Sequence, residues 1–420
     1  MEKAIEPNSE RPVPGKHAAW IALGLLTALN LFNYIDRYIL PGVQPLVQRE
    51  FHVSDERMGA LTFAFFVTYM LAAPFTGWMG DRFPRKPLIL AGAVLWSAAT
   101  LLTATVHSYG MLYLRHAVVG IGEASFSIFA PAVLADFWPE EQRNRILTFF
   151  YLSLPIGAAL GYILGGTLGN AYGWRFPFYI CALPGLLLAV AIFFWMEEPR
   201  RGATEHLALT ADRATYAGLL HNRGYWAATL GMAMMVFSLG GISVWMPTFL
   251  YRNGHYSLPV ANQLLGAITV GTGIAGTWLG GWLAQRWLRS NHAALYLLSA
   301  WSVALAIPAA VMTFFGPRSG MVPWLAVAEF FLFLNTGPLN AAIVNSVAAP
   351  VRSSAIALEL FLIHALGDAP SPRLIGWVSD RSSLPTGLGL TLITMVLSAG
   401  LLFLGARFAP RLDADEAVEQ

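Results

Sequence analysis

Hydrophobic and polar positions alternate along this chain on a long scale. Runs of about 20 apolar residues, the length that crosses a bilayer as a helix, are separated by short polar breaks. Twelve such runs are placed near 18–45, 58–80, 87–106, 110–135, 145–169, 175–196, 225–250, 262–285, 293–315, 322–347, 354–378 and 386–408. Within them the apolar residues are continuous, whereas strands of a membrane barrel would alternate apolar with polar. The pattern therefore predicts an all-α polytopic membrane protein with twelve transmembrane helices. The longest polar gap, 197–223, contains "EEPRRGATEHLALTADRATY" and divides the runs into two sets of six. Its second part predicts a short surface helix. The expected organisation is a disordered tail (1–17), a six-helix half (18–196), a linker (197–223), a second six-helix half (224–408) and a short tail (409–420). "MEKAIEPNSERPVPGK" has no short apolar core with a cleavage site, so it reads as a tail rather than a signal peptide.

Composition sharpens this picture. The 420 residues are 56% hydrophobic and 12% charged, where a soluble domain carries roughly 25% charged residues. Aromatic residues make up 13%, and Trp and Tyr favour membrane–water interfaces. The net charge of +2 does not point to nucleic acid, because the charges sit in short blocks between the runs. The single cysteine, Cys181, excludes an intramolecular disulfide and argues against a cysteine metal site.

Alternate loops differ in charge. Seventeen Lys and Arg fall on the side of the termini, six on the other side, and Arg37, Arg115 and Arg373 fall inside runs. By the positive-inside rule both termini are expected in the cytoplasm, in an inner (cytoplasmic) membrane. The halves also repeat one another. "GWMGDRFPRK" (Gly77 to Lys86) follows run 2 and "GWLAQRWLRS" (Gly281 to Ser290) follows run 8, with Gly, Trp and two Arg at the same spacing. A duplicated six-span unit is the mark of a transporter that rocks two halves about a central site.

These residues resemble a known family. "GWMGDRFPRK" is similar to the loop signature of the major facilitator superfamily, with Pro84 in place of the usual glycine. "RHAVVGIGEAS" resembles its span 4 motif, and "LPIGAALGYILGG" its antiporter motif, with Gly157, Gly161 and Gly165. "NYIDR", "GIGEASF" and "HALGDAPSP" together resemble the Spinster family. The resemblance covers nearly the whole chain. It implies two pseudo-symmetric halves, secondary transport by alternating access, and, from animal relatives, export of sphingolipids or lysophospholipids.

The candidate site residues start with charge inside spans. Burying an ionised group at mid-bilayer costs roughly 2.5–3.5 kcal/mol on insertion scales, so Asp36, Arg37 and Glu123 need a reason to be there. Asn30, Asn33 and Arg37 form one polar stripe on a helix. In the fold that the resemblance implies, spans 1 and 4 are neighbours. Glu123 lies roughly 20 Å below the outer end of its run, Asp36 and Arg37 roughly 10–13 Å, and Arg115 roughly 8 Å. Closing that gap needs long side chains or a water. Asp36, Arg37, Glu123 and Arg115 are the proton-coupling candidates, with Arg37 as the switchable partner of Glu123 and Asp36 holding Arg37 or its helix. The bland alternative is a structural ion pair.

Asp81, Arg82, Arg85 and Lys86 form the gate candidates, and positive-inside anchoring is the alternative for the bases. The resemblance implies that Asp81 meets the start of span 11 near Ser353 and Ser354, whereas Gln285 removes the charge from the repeat. Asn33, Tyr34, Phe66, Trp245, Asn335, His364 and Asp368 are the cargo-binding candidates, and Glu329 is a weaker one. Packing remains the alternative for the aromatics.

The expected partners are the bilayer, protons and an amphipathic, anionic lipid-like cargo, with no cofactor, metal or nucleic acid, and the expected state is a monomer. The sequence has no His-Glu-x-x-His or phosphate loop, and Gly241-Ile-Ser243 lacks the second glycine of a nucleophile elbow, so an enzyme is not expected. Export of hydrophobic drugs or organic anions is the alternative cargo reading, and a transport-dead sensor on the same fold is the alternative role.

Overall fold

The computed structural model describes residues 15–138, 140–199, 218–347 and 351–410. Linker residues 200–217, the tails before residue 15 and after 410, and the side chains of Asp81 and Ser353 lie outside the described residues, and of the expected linker helix the described part, 218–221, is helical. Every regular element among the described residues is a helix. In the first half the spans are span 1 (Lys16–Phe51), span 2 (Asp55–Arg82), span 3 (Arg85–Thr103) and span 4 (Tyr109–Phe137), then span 5 (Glu140–Tyr151 continued by Ser153–Tyr172) and span 6 (Phe176–Trp195). The second half has span 7 (Arg223–Arg252), span 8 (Leu258–Leu288), span 9 (Ala294–Phe315), span 10 (Arg318–Leu334 and Thr336–Asn345), span 11 (Arg352–Ile363 and Pro370–Arg381) and span 12 (Leu384–Leu388 and Leu390–Gly405).

Eleven of these are long and apolar enough to cross a membrane by composition. The exception is span 11. It carries Glu359, His364, Asp368 and Arg373, and a wide π turn at His364–Asp368 interrupts it. Prolines explain that turn. Pro370 and Pro372 have no N–H to return to the carbonyls one turn back, and the Ala369 N–H reaches instead to the His364 carbonyl at 3.2 Å.

Local chemistry sets the other boundaries. The Ser54 hydroxyl accepts the Arg57 N–H at 3.3 Å, and Asp55 and Glu56 occupy the positive first turn of span 2. Asn222 caps span 7 by accepting the Tyr225 N–H at 2.9 Å. Span 1 runs further than its apolar run suggests. It continues through Pro41 and Pro45 to Phe51, because Gln44 and Gln48 are buried there rather than solvated.

Packing repeats between the halves. Spans 2 and 4, 3 and 4, and 3 and 6 pair in the first, as spans 8 and 10, 9 and 10, and 9 and 12 pair in the second. The halves meet through spans 1 and 7, 2 and 11, and 5 and 8. Close approach requires small residues. A Cβ on Gly161 of span 5 would sit 2.6 Å from the Ile35 carbonyl of span 1, so this glycine of the antiporter-like motif is fixed by packing. Hydrogen bonds between the halves gather from mid-depth toward the end opposite the termini, here called distal. Tyr162 Oη donates to the Ser243 carbonyl at 2.7 Å, Asn262 Nδ2 to the Gly42 carbonyl at 3.1 Å, and Arg252 to Asp55 at 2.9 Å. The distal end is shut.

Candidate functional site

The polar stripe of span 1 faces the interior of the first half. Asn30 Nδ2 donates to Ser153 Oγ at 2.6 Å, which ties span 1 to span 5. One turn on, Asn33 is buried. A further turn on, Arg37 Nε donates to Glu123 Oε2 at 3.1 Å, and the guanidinium and carboxylate form a close ion pair. The depth gap expected from the apolar runs closes because span 1 is longer than its run. Arg37 precedes Phe51 by as many residues as Glu123 follows Tyr109, so both lie about 21 Å below the distal helix ends.

Glu123 is 0% exposed. Span 4 is pressed against span 3 beside it, since a Cβ on Gly122 would lie 2.8 Å from the Trp96 amide nitrogen. The guanidinium of Arg37 also lies over three rings, 5.1 Å from the centroid of Tyr34, 4.9 Å from Phe65 and 6.0 Å from Phe66. Ring faces hold a cation by their quadrupole.

Asp36 does not hold Arg37. It points about 100° away round the helix and is buried. Neither carboxylate oxygen has a hydrogen-bond partner among the described residues. Arg115 does not join the pair either. It is half-buried two turns nearer the distal end and does not line the cavity.

The second half supplies the opposite wall. His364 Nδ1 lies 3.0 Å from Asp368 Oδ1 across the π turn. Phe66 of span 2 stacks on the His364 ring at 5.1 Å and 26°, and Tyr69 meets it edge-on at 5.5 Å. Phe66 thus touches both the Arg37 guanidinium and His364. Between these walls is a cavity of about 250 Å³, whose lining includes Tyr34, Arg37, Phe66, His116, His364 and Asp368.

Other candidates lie elsewhere. Trp245 is 0% exposed and donates through Nε1 to the Pro372 carbonyl at 2.8 Å, so it packs span 7 on span 11 and does not line the cavity. Asn335 is buried at the break in span 10 with no side-chain partner among the described residues. Glu329 accepts from Thr269 Oγ1 at 3.2 Å. Arg85 pairs with Asp136, and its backbone N–H bonds Glu198. Lys86 Nζ donates to the Phe193 carbonyl at 2.9 Å, and Arg82 lies over the Trp78 ring at 4.4 Å. These three bases all bind partners inside the first half, and the Asp81 side chain lies outside the described residues.

Sequence reasoning passed over His116 and Phe65, and considered Ser243 only as a nucleophile, not as part of the cavity wall. A signal existed for His116, which precedes Glu123 by seven residues and so shares its helix face. Phe65 and Ser243 are ordinary residues for an apolar helix and carry no such signal.

Residues 26–372 match the Major Facilitator Superfamily. Protein spinster homolog 1 of Xenopus laevis is 34% identical over 379 residues, which is 85% of this chain and 72% of the relative. The sphingosine-1-phosphate transporter SPNS2 of Danio rerio is 32% identical over 435 residues, 95% of this chain and 86% of the relative. A bacterial homolog of the human lysosomal transporter Spinster, solved inward-facing and unoccupied, superposes with a TM-score of 0.84 at 21% identity, over 94% of this chain and 98% of that one. A D-xylose–proton symporter superposes with a TM-score of 0.73 at 15% identity, over 93% and 98%.

Proposed function

The chain belongs to the Spinster family of the Major Facilitator Superfamily, and we propose that it is a proton-coupled secondary transporter of an amphipathic, anionic lipid-like cargo. The Arg37–Glu123 pair in the wall of a mid-depth cavity between the halves carries this reading. With Glu123 ionised, Arg37 is neutralised and spans 1 and 4 are drawn together. A proton on Glu123 removes that charge and leaves Arg37 held by ring faces, as a cation available to a phosphate or carboxylate headgroup. A tenfold swing between two conformations needs about 1.4 kcal/mol of differential stabilisation, which a desolvated ion pair can supply.

The cargo class rests on chemistry and on relatives. The cavity offers one cation, a His–Asp pair and aromatic walls, and it has few of the amides that sugar recognition uses. At about 250 Å³ it is near the small end of ligand pockets, a size suited to a headgroup with its chain outside. A relative bears the name sphingosine-1-phosphate transporter, in line with a sphingolipid or lysophospholipid. The basic loops favour termini in the cytoplasm and the distal end outside, so in this reading the closed distal seam faces outward. The working unit in this reading is a monomer of an inner membrane, exporting its cargo.

Reconstituted protein in vesicles with an imposed pH gradient tests the reading. Wild type should accumulate a lysolipid uphill. Glu123→Gln should lose the pH drive and keep binding or exchange, and Arg37→Ala should lose both. Transport by Glu123→Gln with wild-type pH dependence would sink the coupling role. Tight binding of a free sugar without lysolipid binding would sink the cargo class.

A further inference from the structure

Span 11 ends in Gly376-Trp377-Val378-Ser379-Asp380-Arg381 and span 2 ends in Gly77-Trp78-Met79-Gly80-Asp81-Arg82. Gly, Trp, Asp and Arg recur at the same spacing. The two spans run antiparallel and are packed together, so each motif lies at the end where the other span begins. Span 2 therefore meets this sequence at the distal end, and its own copy lies at the proximal end.

The distal contact is fully formed. Asp380 Oδ1 accepts the Asp55 N–H at 2.8 Å and Oδ2 accepts the Glu56 N–H at 2.8 Å. One carboxylate from the second half thus closes the first turn of a helix in the first half. Backbone N–H groups there have no partner within the helix and carry partial positive charge. Around this cap, Ser379 Oγ donates to Asp55 Oδ2 at 2.6 Å, and Gln48 Nε2 donates to Asp55 Oδ1 at 2.6 Å. Arg252 donates to both Asp55 oxygens at 2.9–3.0 Å. The seam beneath admits no side chain. A Cβ on Gly59 would overlap the Pro372 carbonyl, and one on Gly376 would overlap the Asp55 carbonyl.

We infer that Asp380 is a gating residue: its carboxylate latches the distal end by capping span 2, and the motif that carries it is the inverted counterpart of the one that ends span 2. The cap exists only while spans 2 and 11 are in register at this end. Rotation of the halves that opens the distal side must pull Asp380 off both amides and part Asp55 from Arg252 and Ser379. Asp380 then biases the transporter toward the distal-shut state without touching cargo. The inference rests on alternating access alone and holds whatever the cargo or the coupling ion.

The test uses the full chain in sealed vesicles with Cys181→Ala and a Ser243→Cys reporter on the cavity wall. An impermeant maleimide is applied from either side. Asp380→Asn keeps the shape and removes the charge. Because Asp380 is exposed, where charge–helix effects are modest, distal labelling should rise about threefold while proximal labelling falls. Asp380→Glu should restore the wild-type pattern. Gly376→Ala, which wedges the same seam, should also raise distal labelling. A merely destabilised protein would label faster from both sides. Labelling that rises on both sides, or that Asp380→Asn leaves unmoved, would overturn the inference. If Asp380→Asn does not assemble, Asp380→Ser, which retains one acceptor, decides by the same criterion.

Discussion

The two partners of the buried ion pair should fail unequally when the other is removed. Glu123 is 0% exposed, and the Arg37 side chain is 21% exposed with three rings around its guanidinium. Two unit charges about 4 Å apart attract by about 4 kcal/mol at an effective dielectric near 20. Arg37→Met leaves a carboxylate in the dry interior with no cation, a change that costs about 3–5 kcal/mol. Glu123→Leu leaves a cation that keeps the ring faces and touches the cavity. Ring faces are worth roughly 0.5–2 kcal/mol to a cation, so about 1–3 kcal/mol of destabilisation is expected. Because the double substitution removes both charges, it should cost no more than Arg37→Met alone. The coupling energy should then be at least the cost of Glu123→Leu, about 1–3 kcal/mol. Unfolding in mixed micelles by increasing sodium dodecyl sulfate, followed by tryptophan fluorescence, measures each corner of the cycle. Additivity within about 0.5 kcal/mol, or an Arg37→Met variant no weaker than Glu123→Leu, would refute the argument.

Tyr162→Phe removes the hydroxyl that bridges span 5 to the Ser243 carbonyl of span 7. At about 1 kcal/mol for such a bond, distal maleimide access to a cavity cysteine should rise about fivefold, and unchanged access would show that the bond does not help close the halves. Gly161→Val forces a side chain against the Ile35 carbonyl and Tyr38 Cβ. Overpacking of this kind costs about 1–3 kcal/mol, so the thermal midpoint should fall, while Gly24→Ala, where a Cβ meets nothing within 4 Å, should leave it level or raise it.

Much of the architecture was legible before any coordinates, because a bilayer core offers no hydrogen-bond partners and so demands long apolar helices. Span number, antiparallel order and the repeat of the halves follow from run lengths and loop motifs. Charge at mid-run singled out Asp36, Arg37 and Glu123 for the same reason. Span 11 departs most from a plain apolar helix, since His364 and Asp368 line the cavity and its prolines break the regular helix.

Linear sequence by itself determined that this chain is helical and membrane-spanning, that its halves repeat, and that Arg37 and Glu123 sit where charge is costly. Only the tertiary structure decided who meets whom. Span 1 continues past its apolar run, since Gln44 and Gln48 are buried by neighbouring helices. That extension sets Arg37 level with Glu123. Asp36 turns away from its neighbour Arg37, because one residue is about 100° on a helix. The partners across the distal seam, Asp55 with Arg252 and Asp380 with the first amides of span 2, lie far apart in the chain. Helix periodicity describes one helix at a time, and contacts between the halves depend on how twelve helices are rotated against each other in space.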